Sequence, residues 1–175
     1  MTPEGQSAVV VLVPAVEPVV STWRSRFDPS AARGMPAHIT LLYPFLPERC
    51  LTETVNSHLG ALCRELDPLE VTFVRTARFP GVLYLDPEPA DHLRNLTVAI
   101  AERWPDTPPY DGQHDDIVPH LTVAHADEAT LDPIEADVTS KLPLTALLGA
   151  ARLYVFDGER WQAQTQFGFH GSCTE

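Results

Sequence analysis

Apolar residues along this chain switch between the strand period and the helix period, and the switches predict its elements. Residues 8–14 (AVVVLVP) are a short, β-branched run closed by proline and read as a buried strand. Pro14 and Pro18 frame a helix start, and Val19, Val20, Trp23 and Phe27 then recur at helical spacing, which predicts a helix over 17–27 with one apolar stripe. A loop of turn formers, DPSAARGMP (28–36), leads into AHITLLYPF, a second strand that ends near Pro44–Pro47. Thr52 is placed to cap a helix whose inner stripe is Val55, Leu59, Leu62 and Leu66, with His58 off that stripe; Asp67-Pro68 stops it. Residues 69–79 read as a strand, and Pro80-Gly81 as a turn.

The pattern then begins again. VLYLDPEP (82–89) repeats the logic of VLVPAVEP (11–18): apolar strand, proline, helix entry. Asp91 is placed to cap a helix carrying Leu93, Leu96, Ile100 and Trp104 inward, and an acidic, proline-rich loop (105–118) follows. VPHLTVAHA is a strand, a helix runs from about 128 to 141 with Leu131, Ile134 and Val138 inward, residues 144–157 read as strand, and DGER (157–160) is a hairpin turn into WQAQTQFGF. Each half therefore reads strand, helix, loop, strand, helix, strand, an internal repeat of pattern over about 8–80 and 81–157 with a strand hairpin at 150–169. One domain of two lobes spanning 1–175 is expected.

The third element of each half carries the same short motif: His38-Ile39-Thr40-Leu41 in the first, His120-Leu121-Thr122-Val123 in the second. In a strand, residues two apart share a face, so His and Thr look out together while their apolar neighbours face the core. Two lobes related by a pseudo-two-fold axis would bring both His/Thr pairs into one cleft. Two histidines across a cleft can take and give a proton near neutrality, and two threonine hydroxyls can bind the oxygens of a phosphate.

Composition narrows the partners. A formal net charge of −12, with twelve Lys and Arg, offers little to a long duplex, whose phosphates call for many cationic contacts. Three cysteines (Cys50, Cys63, Cys173) are too few and scattered for a disulfide framework, and a reduced, cytoplasmic setting fits them. No run approaches the roughly 18 apolar residues of a membrane span.

The paired His-apolar-Thr-apolar motifs, the halved architecture and the length resemble the 2H phosphoesterase superfamily, and within it the bacterial 2′-5′ RNA ligase and RNA 2′,3′-cyclic phosphodiesterase family. The resemblance implies an α+β, bilobal fold of two pseudo-symmetric lobes of antiparallel sheet, with helices outside and a central cleft. It implies catalysis without metal or cofactor, with His38 and His120 as the acid/base pair and Thr40 and Thr122 as phosphate ligands. His120 is taken as base and His38 as acid, roles that pseudo-symmetry makes interchangeable. The expected reaction is hydrolysis of a 2′,3′-cyclic phosphate, on a small nucleotide or an RNA 3′ end, to a 2′-phosphate, or reversible 2′-5′ joining, by a monomer.

Five further residues are candidates for substrate contact. Tyr43 and His125 each lie five residues past a motif histidine; strict alternation turns them away from it, so a bulge or an early strand end is required. Arg75, Arg78 and Tyr84 could touch phosphate or base. Two other readings use the same residues: a nucleotide-binding module without turnover, and a metal-dependent hydrolase built on His114, Asp115, Asp116, His120 and His125.

Overall fold

The computed structural model describes residues 2–113 and 115–171. Among the described residues, eight strands and five α-helices follow one another: β1 Ser7–Leu12, α1 Glu17–Phe27, α2 Pro29–Ala32, β2 His38–Leu42, α3 Glu53–Arg64, β3 Leu69–Phe79, β4 Val82–Glu88, α4 Asp91–Arg103, β5 Leu121–His125, α5 Glu128–Thr139, β6 Leu144–Leu148, β7 Ala150–Phe156 and β8 Trp161–Gly168. They form two four-stranded antiparallel sheets, in the orders β2-β1-β7-β8 and β5-β4-β3-β6, with helices around them.

Local chemistry explains most boundaries. Thr52 accepts a hydrogen bond from the Val55 amide (3.3 Å) and starts α3, and Asp127 does the same for α5 through Thr130 (2.8 Å). Ala90, without a side-chain cap, precedes α4; Asp91 instead lies in its first turn and pairs with Arg94 at 2.5 Å. His58 is half-buried rather than free in solvent: its ring lies near Trp104 and its Nδ1 accepts from Arg103 at 2.7 Å. The Asp157 carboxylate accepts from the amides of Glu159 and Arg160, closing the β7–β8 hairpin with Gly158 at φ +100°.

Two features depart from the simple repeat. The run 144–157 is two strands, not one: Gly149 separates β6 from β7, and the two join different sheets. Strand β3, which ends the first half in sequence, pairs with β4 and β6 of the second half, while β7 takes the corresponding place beside β1. The helices are exchanged as well. Helix α1 packs on β5 and α4 packs on β2, so each half's helix supports the other half's motif strand. One continuous core holds both sheets together, running from Val9, Ile39 and Leu41 through Phe73 and Leu85 to Leu121 and Val123. That shared core is why β2 and β5 lie side by side.

Candidate active site

The two motif strands are built alike. Their apolar members (Ile39, Leu41, Leu121 and Val123) are buried in the common core, and His38, Thr40, His120 and Thr122 are half-buried on the other face. His38 Nδ1 lies 2.8 Å from the Pro36 carbonyl and His120 Nδ1 lies 2.7 Å from the Val118 carbonyl, each the oxygen two residues back. A carbonyl can only accept, so each neutral ring carries its proton on Nδ1 and leaves Nε2 as the acceptor.

Each strand also carries the same bulge. Val9 pairs with Leu42 and Val10 with Thr40, so Leu41 is an extra residue. Leu83 pairs with Ala124 and Tyr84 with Thr122, which makes Val123 extra at the equivalent position. The insertion shifts the alternation by one, so Tyr43 and His125 return to the face of the histidines.

Two cavities open on this face. The first, of about 420 Å³, is lined by His38, Thr40, Tyr43 and Trp161, and also by Thr122 and His125 from the other strand. The second, of about 850 Å³, is lined by His120, Phe79 and Tyr110 and again by Thr122 and His125. The cavities thus share one wall, and both motifs open on adjoining space.

Burial and charge set the state of the imidazoles. Desolvation, with the Arg24 guanidinium acting in the same direction, lowers His38 to about 4; the Pro36 hydrogen bond and Asp28 oppose this, and His120 adds a small repulsion. His120 is also lowered, chiefly by desolvation, against the Val118 hydrogen bond. Both rings are therefore neutral in the free protein at pH 7. The charges nearest His38 are themselves paired: Arg24 binds the Asp28 carboxylate through Nε and Nη2 and also reaches the Met35 carbonyl. Glu17 accepts from the Ala37 amide at 2.5 Å and so pins the entry to β2.

An aromatic wall surrounds His120. Phe79 meets it edge-on at 5.1 Å between centroids, Tyr84 lies at 5.4 Å, and Tyr110 is roughly parallel at 6.2 Å. Tyr110 is held in the left-handed region (φ 53°), and its amide donates to the Tyr43 carbonyl at 2.8 Å, tying loop 105–118 to the end of the first motif strand. That conformation costs about 1–3 kcal/mol in a residue with a side chain. Burial pushes the Tyr110 phenol up to about 12, so it keeps its proton.

Of the nine residues singled out from sequence, the structure gathers seven. His38, Thr40, Tyr43, Thr122 and His125 line the first cavity, His120 the second, and Tyr84 lies buried beneath His120, stacked on Phe79 at 4.4 Å. Arg75 and Arg78 line neither cavity. Arg75 pairs with Asp86 and Glu88 across the β3–β4 ladder, and Arg78 is held by Glu128, Asp132 and Glu135 of α5. Arg24–Asp28, Tyr110, Phe79 and Trp161 were not among the sequence candidates. Only Arg24 left a trace there, falling one helical turn after Val20 on the inner stripe. Among the described residues no three His, Cys, Asp or Glu side chains gather as metal ligands would; His114 lies outside the described residues. No helix among them is long and apolar enough to cross a membrane.

Comparison with known proteins identifies the family and the fold. Residues 12–160 match the family model for the 2′-5′ RNA ligase superfamily. A Bacillus licheniformis protein named "Putative phosphoesterase" is 31% identical over 121 residues, covering 66% of this chain and 68% of its own. Escherichia coli LigT, in a structure complexed with 3′-AMP, superposes with a TM-score of 0.63 at 16% identity, over 95% of this chain and 99% of LigT. The Thermus thermophilus protein TT0787 superposes equally well, with a TM-score of 0.63 at 18% identity over 95% and 99% of the two chains. With the family model matching most of its length and its two-sheet fold superposing on these structures, this chain belongs to the 2′-5′ RNA ligase superfamily of 2H phosphoesterases.

Proposed function

We propose that this protein hydrolyses 2′,3′-cyclic phosphates of small nucleotides or RNA 3′ ends by two-histidine acid/base catalysis. The observation that carries the reading is the pair of equivalent imidazoles, each with Nδ1 tied to a carbonyl and Nε2 left for proton transfer, on strands that share one wall of adjoining cavities. One Nε2 takes a proton from water as the water oxygen attacks phosphorus. The bond from phosphorus to the ribose 3′ oxygen breaks, and that oxygen takes the proton held by the other imidazolium, leaving a 2′-phosphate. The hydroxyls of Thr40 and Thr122 donate to the non-bridging oxygens as these gain charge. A ribose 5′ hydroxyl attacking in place of water would give a 2′-5′ joint by the same transfers. The crystal of LigT with 3′-AMP is in keeping with a nucleotide-sized ligand.

Burial lowers both rings, so both are neutral in the free protein, and the imidazolium must form when an anionic phosphate enters between them. The two strands present their rings alike, so the assignment drawn from the resemblance is kept: His120 is the base and His38 the acid.

The test is turnover of 2′,3′-cyclic nucleotides, with the phosphate position in the product read by phosphorus NMR. Wild type should yield the 2′-phosphate, and His38→Ala and His120→Ala should each lose about 10²–10⁴ in rate. Activity surviving both substitutions would remove the catalytic assignment. The neutrality of both rings also suits a nucleotide-binding module without turnover; tight binding by wild type with no product would select that reading.

A further inference from the structure

The two cavities differ in charge. Among the described residues lining either one, Arg33 is the single Lys or Arg, and it lines the first cavity together with Ser30. The second and larger cavity has apolar and aromatic walls (Phe79, Val82 and Tyr110) and a polar rim of Gln113, Asp115 and Asp116. Both aspartates are exposed, and neither enters an ion pair with another of the described residues, so their carboxylates are open to a ligand.

A second phosphate is repelled from such a rim and drawn toward Arg33. A flat, uncharged ring loses little by entering the aromatic walls, and gains if it presents N–H donors to carboxylates that can only accept. We propose that the second cavity is a nucleobase pocket that reads the donor edge of the base through Asp115 and Asp116, and that it prefers guanine. Guanine offers an adjacent ring N–H and amino group, two parallel donors that match one carboxylate; cytosine and adenine offer an amino group beside an acceptor; uracil offers one ring N–H between two carbonyls, which face the carboxylates unfavourably. The strand on the 5′ side of the base then runs toward Arg33. This assignment rests on the reading that the reacting phosphate lies between the two motifs.

Calorimetry on the full chain with guanosine and uridine 2′-monophosphates tests it without requiring turnover. Guanosine 2′-monophosphate should bind at least about 10-fold more tightly, the size expected of a charge-assisted pair of hydrogen bonds. Inosine 2′-monophosphate, which lacks the amino group, should lose most of that advantage. Asp115→Asn combined with Asp116→Asn should bring the guanine-to-uracil ratio below about 3. Equal binding of the two bases, or a ratio unchanged in the double variant, would overturn the pocket. Base preference in binding without hydrolysis of any cyclic nucleotide would leave the pocket standing and remove the phosphodiesterase reading. Hydrolysis at equal kcat/KM for all four bases would do the opposite.

Discussion

Arg24 and Asp28 form a 2.9 Å ion pair in which both side chains are almost completely buried, one helical turn apart where α1 ends. Asp28 also accepts from the amide and hydroxyl of Ser30 and so starts α2, and both charges act electrostatically on His38. Removing one partner leaves the other charge buried and unpaired. Arg24→Ala and Asp28→Ala should each cost about 3–5 kcal/mol of stability, measured by urea unfolding. Arg24→Met combined with Asp28→Leu should cost less than either, because no charge is then stranded.

Acid should weaken the fold through His38. Its folded value, about 4, lies below the ordinary 6.5, so the unfolded chain binds more protons between those limits. The contribution is complete above pH 6.5 and is lost as pH falls toward 4. It amounts to roughly 1–3 kcal/mol for a half-buried ring. Denaturant midpoints of wild type should fall more steeply over that window than those of His38→Ala; parallel curves would contradict the depressed value.

The threonines should matter to rate more than to binding. Under the proposed reaction, Thr40→Val and Thr122→Val keep strand shape but remove a donor to the non-bridging oxygens, which are already anionic in the substrate and gain further charge in the transition state. Each should lower kcat by about 10–10³ and raise KM by a smaller factor, read from steady-state kinetics.

Arg75 and Arg78 carry the opposite expectation. Both cations are engaged by carboxylates outside the cavities. Arg78→Met should lower the thermal midpoint, since it frees Glu128, Asp132 and Glu135 to repel one another on α5, while KM stays within about 2-fold. Arg75→Ala should change neither, as is usual for an exposed pair.

Sequence periodicity found the elements because most of them follow local rules. The α1 stripe, the Thr52 cap and the two motif strands are decided by residues within one turn or one strand of each other. Partners distant in sequence were not legible. Nothing in residues 69–79 says that β3 joins the second half's sheet, because an apolar strand fits either sheet. Gly149 alone gave no warning that residues on its two sides part company. The bulges at Leu41 and Val123 could be stated only as a condition for Tyr43 and His125 to face the site, and the register meets that condition in both strands. A charged residue at an inner position, such as Arg24, shows its purpose only when Asp28 and Met35 close on it.

The central claim is that His38 and His120 serve one phosphate, and imidazole NMR during titration with a nucleoside 2′-monophosphate tests it most directly. Both rings should shift along a single binding curve, and both should titrate at higher pH in the complex, since an anion between them favours their charged forms. A ligand that moves one ring while the other keeps its shift and its titration would contradict a shared site.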